Sequence, residues 1–262
     1  MPCASATFTV WSSAWLAGAA APDDVLDALG PWAQAHDVVA ADTGTALAHS
    51  LSAPGTPAGS VTFLLAALRR AAPRGPGRVV LPAPGDPRGL PGPGPFTTAA
   101  LEAGEAVVGR GLGLVPRVTE HGSVADRTCT VLWTAYELVE PAPDPLTVPE
   151  AEHDLTAATR DAASALAALD VASWRPEVAD ELARMRRGVT PELPPGHDGR
   201  AVRLLASADR LAAVLDLARA DAPGGAVTGA EARARDDALR PLATAVRRAR
   251  QAAYNAVPSR HR

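Results

Sequence analysis

The chain has 262 residues, of which 47% are apolar and 21% are charged, and its formal net charge is −4. All 25 basic residues are arginine, and the sequence contains neither lysine nor isoleucine. The lack of lysine excludes P-loop nucleotide binding, Schiff-base chemistry with pyridoxal phosphate and protein-kinase catalysis, because each of these needs a lysine side chain. Lysine and isoleucine have AT-rich codons, so the composition is also typical of a high-GC bacterial genome.

The two cysteines, Cys3 and Cys129, are too few for a four-cysteine zinc site or an iron–sulfur cluster. We expect both thiols to be free in a reducing cytoplasm. The first basic residue is Arg69, so the start of the chain lacks the basic region of a signal peptide. No uncharged apolar run reaches the ~20 residues that a membrane span needs. The prediction is a cytoplasmic protein without membrane contact.

Short β-type runs alternate with helical patterns in the first 139 residues. Strands are predicted at Thr7–Trp11, Asp37–Ala41, Arg78–Leu81 and Thr128–Leu138, and a hairpin is predicted from Glu105–Gly109 and Leu112–Val118 around Arg110-Gly111. Helices are predicted from Pro22, over Val61–Arg70 and from Pro95 to Ala103. This alternation is typical of a mixed α/β sheet with helices.

Residues 140–149 contain four prolines, which is typical of an extended linker. The residues that follow show only helical patterns. Four helices are predicted, with apolar positions at Leu155, Ala158, Ala162, Leu166 and Leu169; at Val178, Leu182 and Met185; at Val202, Leu205, Ala208, Val214 and Leu215; and at Leu239, Leu242, Val246 and Ala253. Capping boxes, Thr147 to Glu150 and Thr228 to Glu231, precede the first and last. We therefore predict an α/β domain at residues 1–139, a linker at 140–149 and an all-α helical bundle at 150–262.

One motif follows the predicted strand Asp37–Ala41. The sequence Asp42-Thr43-Gly44-Thr45 resembles the aspartic-protease signature, in which the aspartate shares a proton with a second aspartate. It also resembles the phosphate-binding turn of the sugar-kinase and actin superfamily. A third interpretation is a ligand site at the end of a strand. The interpretation we favour is that Asp42 or Thr43 caps the helix predicted over Ala46–Ser50.

The loop Pro82–Pro95 holds six prolines and four glycines in fourteen residues, so it cannot form the interior of a helix or sheet. It directly follows a predicted strand, where loops often line ligand sites. Asp86 and Arg88 are its only charged residues and would contact the polar groups of a ligand. The alternative is a rigid connector, and the sequence does not choose between them.

Nucleophilic catalysis needs a serine or cysteine near a base that an acid orients. Ser12 and Ser13 follow the first predicted strand, and His121 has Asp126 nearby in the sequence. These residues could meet in space, although nothing in their spacing requires it. The six histidines form no metal-binding pattern. We therefore predict no catalytic residue, no metal and no cofactor.

The charges are unevenly distributed. Residues 1–68 carry five acids and no base, whereas the chain from Leu239 onward carries six arginines and no acid. Arg247, Arg248 and Arg250 on the last helix are candidates for contact with a nucleic-acid backbone. A pI of about 5.9 argues against a dedicated nucleic-acid binder. A contact with the acidic N-terminal third, within one chain or in a homodimer, explains the same asymmetry.

These observations favour a non-catalytic interaction or regulatory module that acts through the bundle and the loop Pro82–Pro95, with a protein partner or a second copy of the chain. The first alternative is a hydrolase-like small-molecule enzyme. Its ligand site would lie at the strand ends and would draw on Ser12, Ser13, Asp42, Thr43, Gly44, Asp86, Arg88 and His121. The second alternative is nucleic-acid contact through the C-terminal arginines.

Overall fold

The computed structural model describes residues 3–71, 77–109, 111–122, 126–138, 146–168, 192–220 and 229–256. The helices are α1 (Ala4–Leu16), α2 (Pro22–Leu29), α3 (Thr43–His49), α4 (Val61–Ala71), α5 (Pro95–Ala103), α6 (Val148–Ala168), α7 (Gly199–Ala220) and α8 (Gly229–Tyr254). The strands are β1 (Ala35–Ala40), β2 (Gly59–Ser60), β3 (Arg78–Val80), β4 (Ala106–Val108), β5 (Leu112–His121) and β6 (Thr128–Glu137).

The chain forms two compact units. The N-terminal unit is built mainly from residues 2–145, and the C-terminal unit is built from residues 146–190 and 197–257. All six strands belong to the N-terminal unit, together with α1 to α5, and the described elements of the C-terminal unit are helices. The predicted fold class, a mixed α/β part followed by a helical part, is confirmed.

The strands form one sheet in the order β2-β1-β6-β5-β4-β3. Among the described strands, β1 and β6 are the parallel pair, and every other neighbouring pair is antiparallel. The predicted hairpin is confirmed, because Val107 of β4 pairs with Leu114 of β5. Strand β6 therefore holds a central position, between a parallel and an antiparallel neighbour.

The register assigns residues to the two faces of the sheet. Val38 of β1, Trp133 of β6 and Leu114 of β5 lie on one face, and they share a buried core with residues of α1, α2, α3 and α4. On the other face, Val115, Val108 and Val80 form a smaller core with Phe96 and Ala100 of α5. Four helices thus cover one face, and α5 packs on the opposite face of β3, β4 and β5.

The strand predicted at Thr7–Trp11 is wrong, because these residues lie within helix α1. Thr7, Phe8, Thr9 and Val10 are successive residues, and all four are buried. Ten of the 13 residues of α1 are buried, so the helix has no polar face and its sequence lacks the helical periodicity that would distinguish it from a buried strand. Its length of 13 residues is typical of a helix.

Glu105 holds the first turn of α1. The N-cap residue Cys3 makes no side-chain cap, and the backbone N–H of Ser5 instead donates to Oε2 of Glu105 at 2.7 Å. A carboxylate at this position complements the positive end of the helix dipole. Burial, opposed by the hydrogen bonds from Ser5 and Cys3, raises the pKa of Glu105. A residue one hundred positions away thus replaces the local cap.

In the C-terminal unit, α8 packs against both α6 and α7. The capping box at the start of α6 is confirmed: Thr147 N–H donates to Oε2 of Glu150 at 2.8 Å, and Glu150 N–H donates to Oγ1 of Thr147 at 3.4 Å. The core is rich in alanine, including Ala151, Ala208 and Ala249, which allows the helices to approach closely. The predicted helix around Leu182, Thr228 of the second capping box and most of the predicted linker lie outside the described residues.

No helix in the described ranges combines the length and the apolar character that crossing a membrane requires.

Gly113 of β5 provides a stability test of the smaller core. A Cβ at this position would lie 2.5 Å from Cδ1 of Leu138 and 2.6 Å from Cε2 of Phe96. We expect Gly113→Ala to lower the free energy of unfolding by about 1–3 kcal/mol, because the substitution overpacks this core. Urea unfolding measures the effect. Gly92→Ala is the matched control, since a Cβ there would meet nothing within 4 Å, and an equal loss in both variants would contradict the packing.

Candidate functional site

The turn after β1 begins at Asp42, and both of its carboxylate oxygens contact Thr45. Thr45 N–H donates to Oδ1 of Asp42 at 2.8 Å, and the Thr45 hydroxyl donates to Oδ2 at 2.8 Å. Thr45 Oγ1 in turn accepts the N–H of Glu137 at 3.2 Å. The motif therefore caps α3 and joins its first turn to the end of β6.

This geometry confirms that Asp42 caps the helix that follows the motif. The backbone N–H of Thr45, and then its hydroxyl, hold the pKa of Asp42 below its usual value. Thr43 and Gly44 are exposed beside it. In the sugar-kinase and actin superfamily the turn continues into a β-hairpin, whereas here helix α3 follows it. The resemblances to that superfamily and to the aspartic proteases therefore extend no further than the turn itself.

The loop Pro82–Pro95 is exposed along most of its length, and hydrogen bonds within it fix its shape. Ala83 and Asp86 exchange two backbone hydrogen bonds of 3.2 and 2.9 Å around Gly85, whose φ of +82° favours glycine. Nε of Arg88 lies 2.8 Å from Oδ1 of Asp86. The two charges that the sequence offers to a ligand are thus paired with each other.

The end of this loop is fixed to α5. The hydroxyl of Thr97 lies 3.1 Å from the carbonyl oxygen of Pro91 and 2.9 Å from that of Gly92. Leu90 packs against the smaller core beside Phe96. The loop is therefore an ordered segment with two points of attachment, as its proline content leads one to expect.

Asp42 and Asp86 follow strands at distant positions in the sheet. Strand β1 lies four steps from β3 in the strand order, which amounts to about 19 Å at the usual strand spacing. The pairing also makes β3 run opposite to β1, so their C-terminal ends point to opposite edges of the sheet. The structure therefore does not bring Asp42 and Asp86 together.

The candidate serines lie in a helix. Ser12 and Ser13 belong to α1, and the buried Ser12 hydroxyl donates to the carbonyl oxygen of Thr9 at 3.3 Å. His121 is at the exposed end of β5, with Nε2 3.1 Å from Oγ1 of Thr130 on the neighbouring strand. The side chains of Ser12 and His121 are each bonded within their own helix or hairpin. Within the described ranges, no group of three His, Cys, Asp or Glu side chains is placed to hold a metal ion.

His36 is a half-buried polar residue that was not predicted from the sequence. Its Nε2 lies 3.0 Å from the carbonyl oxygen of Leu29, and its Nδ1 lies 3.3 Å from Nε1 of Trp133. Burial lowers the pKa of His36, and the Leu29 carbonyl and the charge of Asp37 oppose this effect. A signal was present, because His36 shares the strand alternation of the buried residues Val38 and Ala40 and so belongs to the core face.

The arginines of α8 contact partners within their own unit. Nε of the buried Arg250 lies 2.8 Å from Oδ1 of Asp209 on α7, and Arg240 pairs with Asp237 one turn earlier. Burial raises the pKa of Asp209, and the charge of Arg250 opposes this rise. Arg247 and Arg248 are half-buried. The acid that pairs with Arg250 thus comes from α7 and not from the acidic N-terminal third.

Replacement of Asp42 tests its capping role. Asp42→Ala should lower the melting temperature at pH 7 by about 2–4 °C, and Asp42→Asn by less, because asparagine retains an acceptor for Thr45 N–H. The stabilisation by Asp42 is present above the usual aspartate pKa and is lost as the pH falls through the lowered value, so the difference between Asp42→Ala and the parent protein should shrink as the pH falls below the usual aspartate pKa. Thermal unfolding as a function of pH measures this. Thr43→Ala is the control, and an equal loss in that variant would contradict the cap.

Replacement of Arg250 tests the buried ion pair. Arg250→Met should cost about 3 kcal/mol of unfolding free energy, because it leaves the carboxylate of Asp209 without its cation. The double variant Arg250→Met with Asp209→Leu should recover most of the loss. Arg240→Met is the control, since that side chain is 74% exposed and its surface pair contributes at most about 0.5 kcal/mol. Urea unfolding followed by far-UV circular dichroism compares them, and similar losses at Arg250 and Arg240 would refute the assignment.

The family models and the relatives agree on where this chain belongs. Residues 5–148 match the family model "Rv1486c-like protein, N-terminal domain", and residues 149–251 match "Rv1486c-like protein, C-terminal domain". The chain is 37% identical to "Uncharacterized protein Rv1486c" of Mycobacterium tuberculosis and 33% identical to "Uncharacterized protein ML1804" of Mycobacterium leprae, and each match covers 98% of both chains. No solved structure matches it. The chain is therefore a member of the Rv1486c-like protein family.

Proposed function

We propose that this chain is a non-catalytic interaction module that presents the loop Pro82–Pro95 to a protein partner. The observation that carries the proposal is that the loop is exposed along most of its length and is held in one shape by hydrogen bonds within it and from Thr97 of α5. A segment that is already ordered loses little conformational entropy when it binds, so more of the contact energy is available as affinity. Surface loops on a rigid scaffold are common binding elements.

The positions of the charged side chains favour this function over catalysis. A hydrolase-like site at the strand ends needs a carboxylate that is free to act on substrate, but Thr45 contacts both oxygens of Asp42, and Asp86 pairs with Arg88. The two aspartates also lie at opposite edges of the sheet. These groups therefore stabilise turns of the scaffold. The same argument applies to Arg250, whose charge is directed at Asp209.

We also propose a cytoplasmic location and a boundary between two domains within residues 140–149. The free thiols of Cys3 and Cys129 support the first proposal, because a reducing compartment maintains free thiols. The two family models meet at residues 148 and 149, which supports the second. On this proposal, residues 1–139 act as the loop-presenting domain and residues 150–262 as a helical bundle that offers a further surface.

Site-specific photocrosslinking tests the interaction. A photoreactive amino acid is placed at Pro84 or Pro93 in the loop and, as a control, at the exposed Ala66 on α4, and the full chain is irradiated in the cells that produce it. We expect a discrete adduct from both loop positions and none from Ala66. An adduct of twice the chain mass would identify a second copy as the partner. Equal adducts from all three positions, or none from the loop, would overturn the proposal.

The role of loop rigidity has its own matched pair of variants. Thr97→Val removes the hydroxyl that fixes the end of the loop at Pro91 and Gly92, so the loop must pay the entropy of ordering on binding and the adduct yield from Pro93 should fall several-fold. Thr98→Val is the control, because its hydroxyl contacts the Gly94 carbonyl, which also accepts the backbone N–H of Thr98, so the loop end stays fixed and the yield should be unchanged. An unchanged yield in Thr97→Val would show that loop order does not matter.

A further inference from the structure

Trp133 is the largest fully buried side chain of the N-terminal unit. Its ring packs against Phe8 of α1, with 5.0 Å between the ring centroids. The indole N–H is the one polar group of this side chain, and a buried N–H without an acceptor is costly. The acceptor is Nδ1 of His36, at 3.3 Å.

Nδ1 of His36 can accept from Trp133 only if it carries no hydrogen, so the hydrogen of the neutral imidazole must be on Nε2. Nε2 lies 3.0 Å from the carbonyl oxygen of Leu29, the last residue of α2, and a carbonyl accepts but does not donate. Nε2 therefore carries the hydrogen, and Nδ1 is free to accept from Trp133. The neutral imidazole connects the end of α2, strand β1 and strand β6 through this single tautomer.

Protonation of His36 removes its hydrogen bond with Trp133. In the imidazolium ion both nitrogens carry hydrogen, so Nδ1–H and the indole N–H of Trp133 face each other as two donors. The Trp133 N–H then has lost its acceptor inside the core, and the positive charge lies on a half-buried ring. The hydrogen bond from Nε2–H to the Leu29 carbonyl is kept on protonation, so the hydrogen bond between His36 and Trp133 of β6 is the one that is lost.

The charged groups around His36 do not reverse this effect. Asp37, its neighbour on the opposite sheet face, favours the positive form, but burial has the larger effect and lowers the pKa of His36. Cys129 of β6 and Glu120 of β5 lie on the same sheet face as His36, two residues further along their strands, and Glu120 pairs with Arg127. The acids of α2, Asp23, Asp24 and Asp27, are exposed to solvent.

We infer that His36 is an acid-sensitive latch: its neutral form accepts the indole N–H of Trp133 and joins the side chains of β1 and β6, and its protonated form leaves that N–H without an acceptor. Because Phe8 of α1 packs on the Trp133 ring, acidification should destabilise the contact of α1 with β6. This inference does not depend on the proposed interaction function, since it concerns the core and not the loop.

The sign of the pH dependence follows from linkage. The unfolded state has the ordinary histidine pKa of 6.5 and the folded state a lower one, so the unfolded chain binds more protons between these two values. The stabilisation is fully present above pH 6.5 and is lost as the pH falls through the lowered pKa. The folding equilibrium constant should decrease by about tenfold for each pH unit by which folding depresses this pKa.

Urea unfolding of the full chain from pH 8 to pH 5, followed by tryptophan fluorescence, tests the latch. His36→Asn is the central variant, because the asparagine Oδ1 can replace Nδ1 as the acceptor for Trp133 but does not titrate. We expect the parent protein to lose stability below pH 6.5 and His36→Asn to lose markedly less over the same range. His121→Asn is the control, because His121 is exposed at the end of β5, and this variant should retain the parent's pH dependence.

A second variant keeps the test valid if His36→Asn folds poorly. Trp133→Phe retains an aromatic ring but removes the N–H that protonated His36 would oppose, so its stability should be lower at every pH and should vary less with pH. Full parental pH dependence in both His36→Asn and Trp133→Phe would overturn the proposal. Loss of the dependence in His121→Asn would also overturn it, because the titrating group would then be elsewhere.

Discussion

Burial of Trp133 on the central strand β6 is the constraint on which the N-terminal unit depends. An indole of this size needs apolar cover on its face of the sheet, and Phe8 of α1 supplies part of it. To reach that position α1 must itself enter the core, and a helix in the core needs partners for its first N–H groups. Glu105 meets this need for Ser5, and His36 meets the corresponding need for the indole N–H. These two polar contacts are consequences of the buried tryptophan.

Strand direction explains why the candidate ligand residues do not form one site. Asp42 and Asp86 each follow a buried strand, and in an all-parallel sheet both would lie at one edge. Here the antiparallel strands β5, β4 and β3 reverse the direction of the chain, and the two aspartates end far apart. Each then bonds locally, Asp42 to Thr45 and Asp86 to Arg88, and each stabilises a turn. The same side chains that resemble ligand contacts in the sequence therefore have a structural use.

Much of the fold could be predicted from local patterns. The helix from Pro22, the strand near Val38, the hairpin of β4 and β5 and the capping box at Thr147 all follow from residues close in sequence. The strand predicted at Thr7–Trp11 was wrong because most residues of α1 are buried, which leaves no polar face for the pattern to detect. The roles of Glu105 and His36 could not be predicted from local patterns, because their partners, Ser5 and Trp133, lie about a hundred residues away in the chain.

The sequence by itself determined the alternation of elements before the proline-rich segment and the helical character after it, and it excluded lysine-dependent chemistry from the outset. It also determined that Pro82–Pro95 is a stiff loop, because proline restricts the backbone whatever surrounds it. Only the tertiary structure decided which charges neutralise each other, which histidine is held in one tautomer and which sheet edge each loop occupies. The physical reason is that strand pairing and burial bring together groups that are distant in the chain, and no local pattern records those encounters.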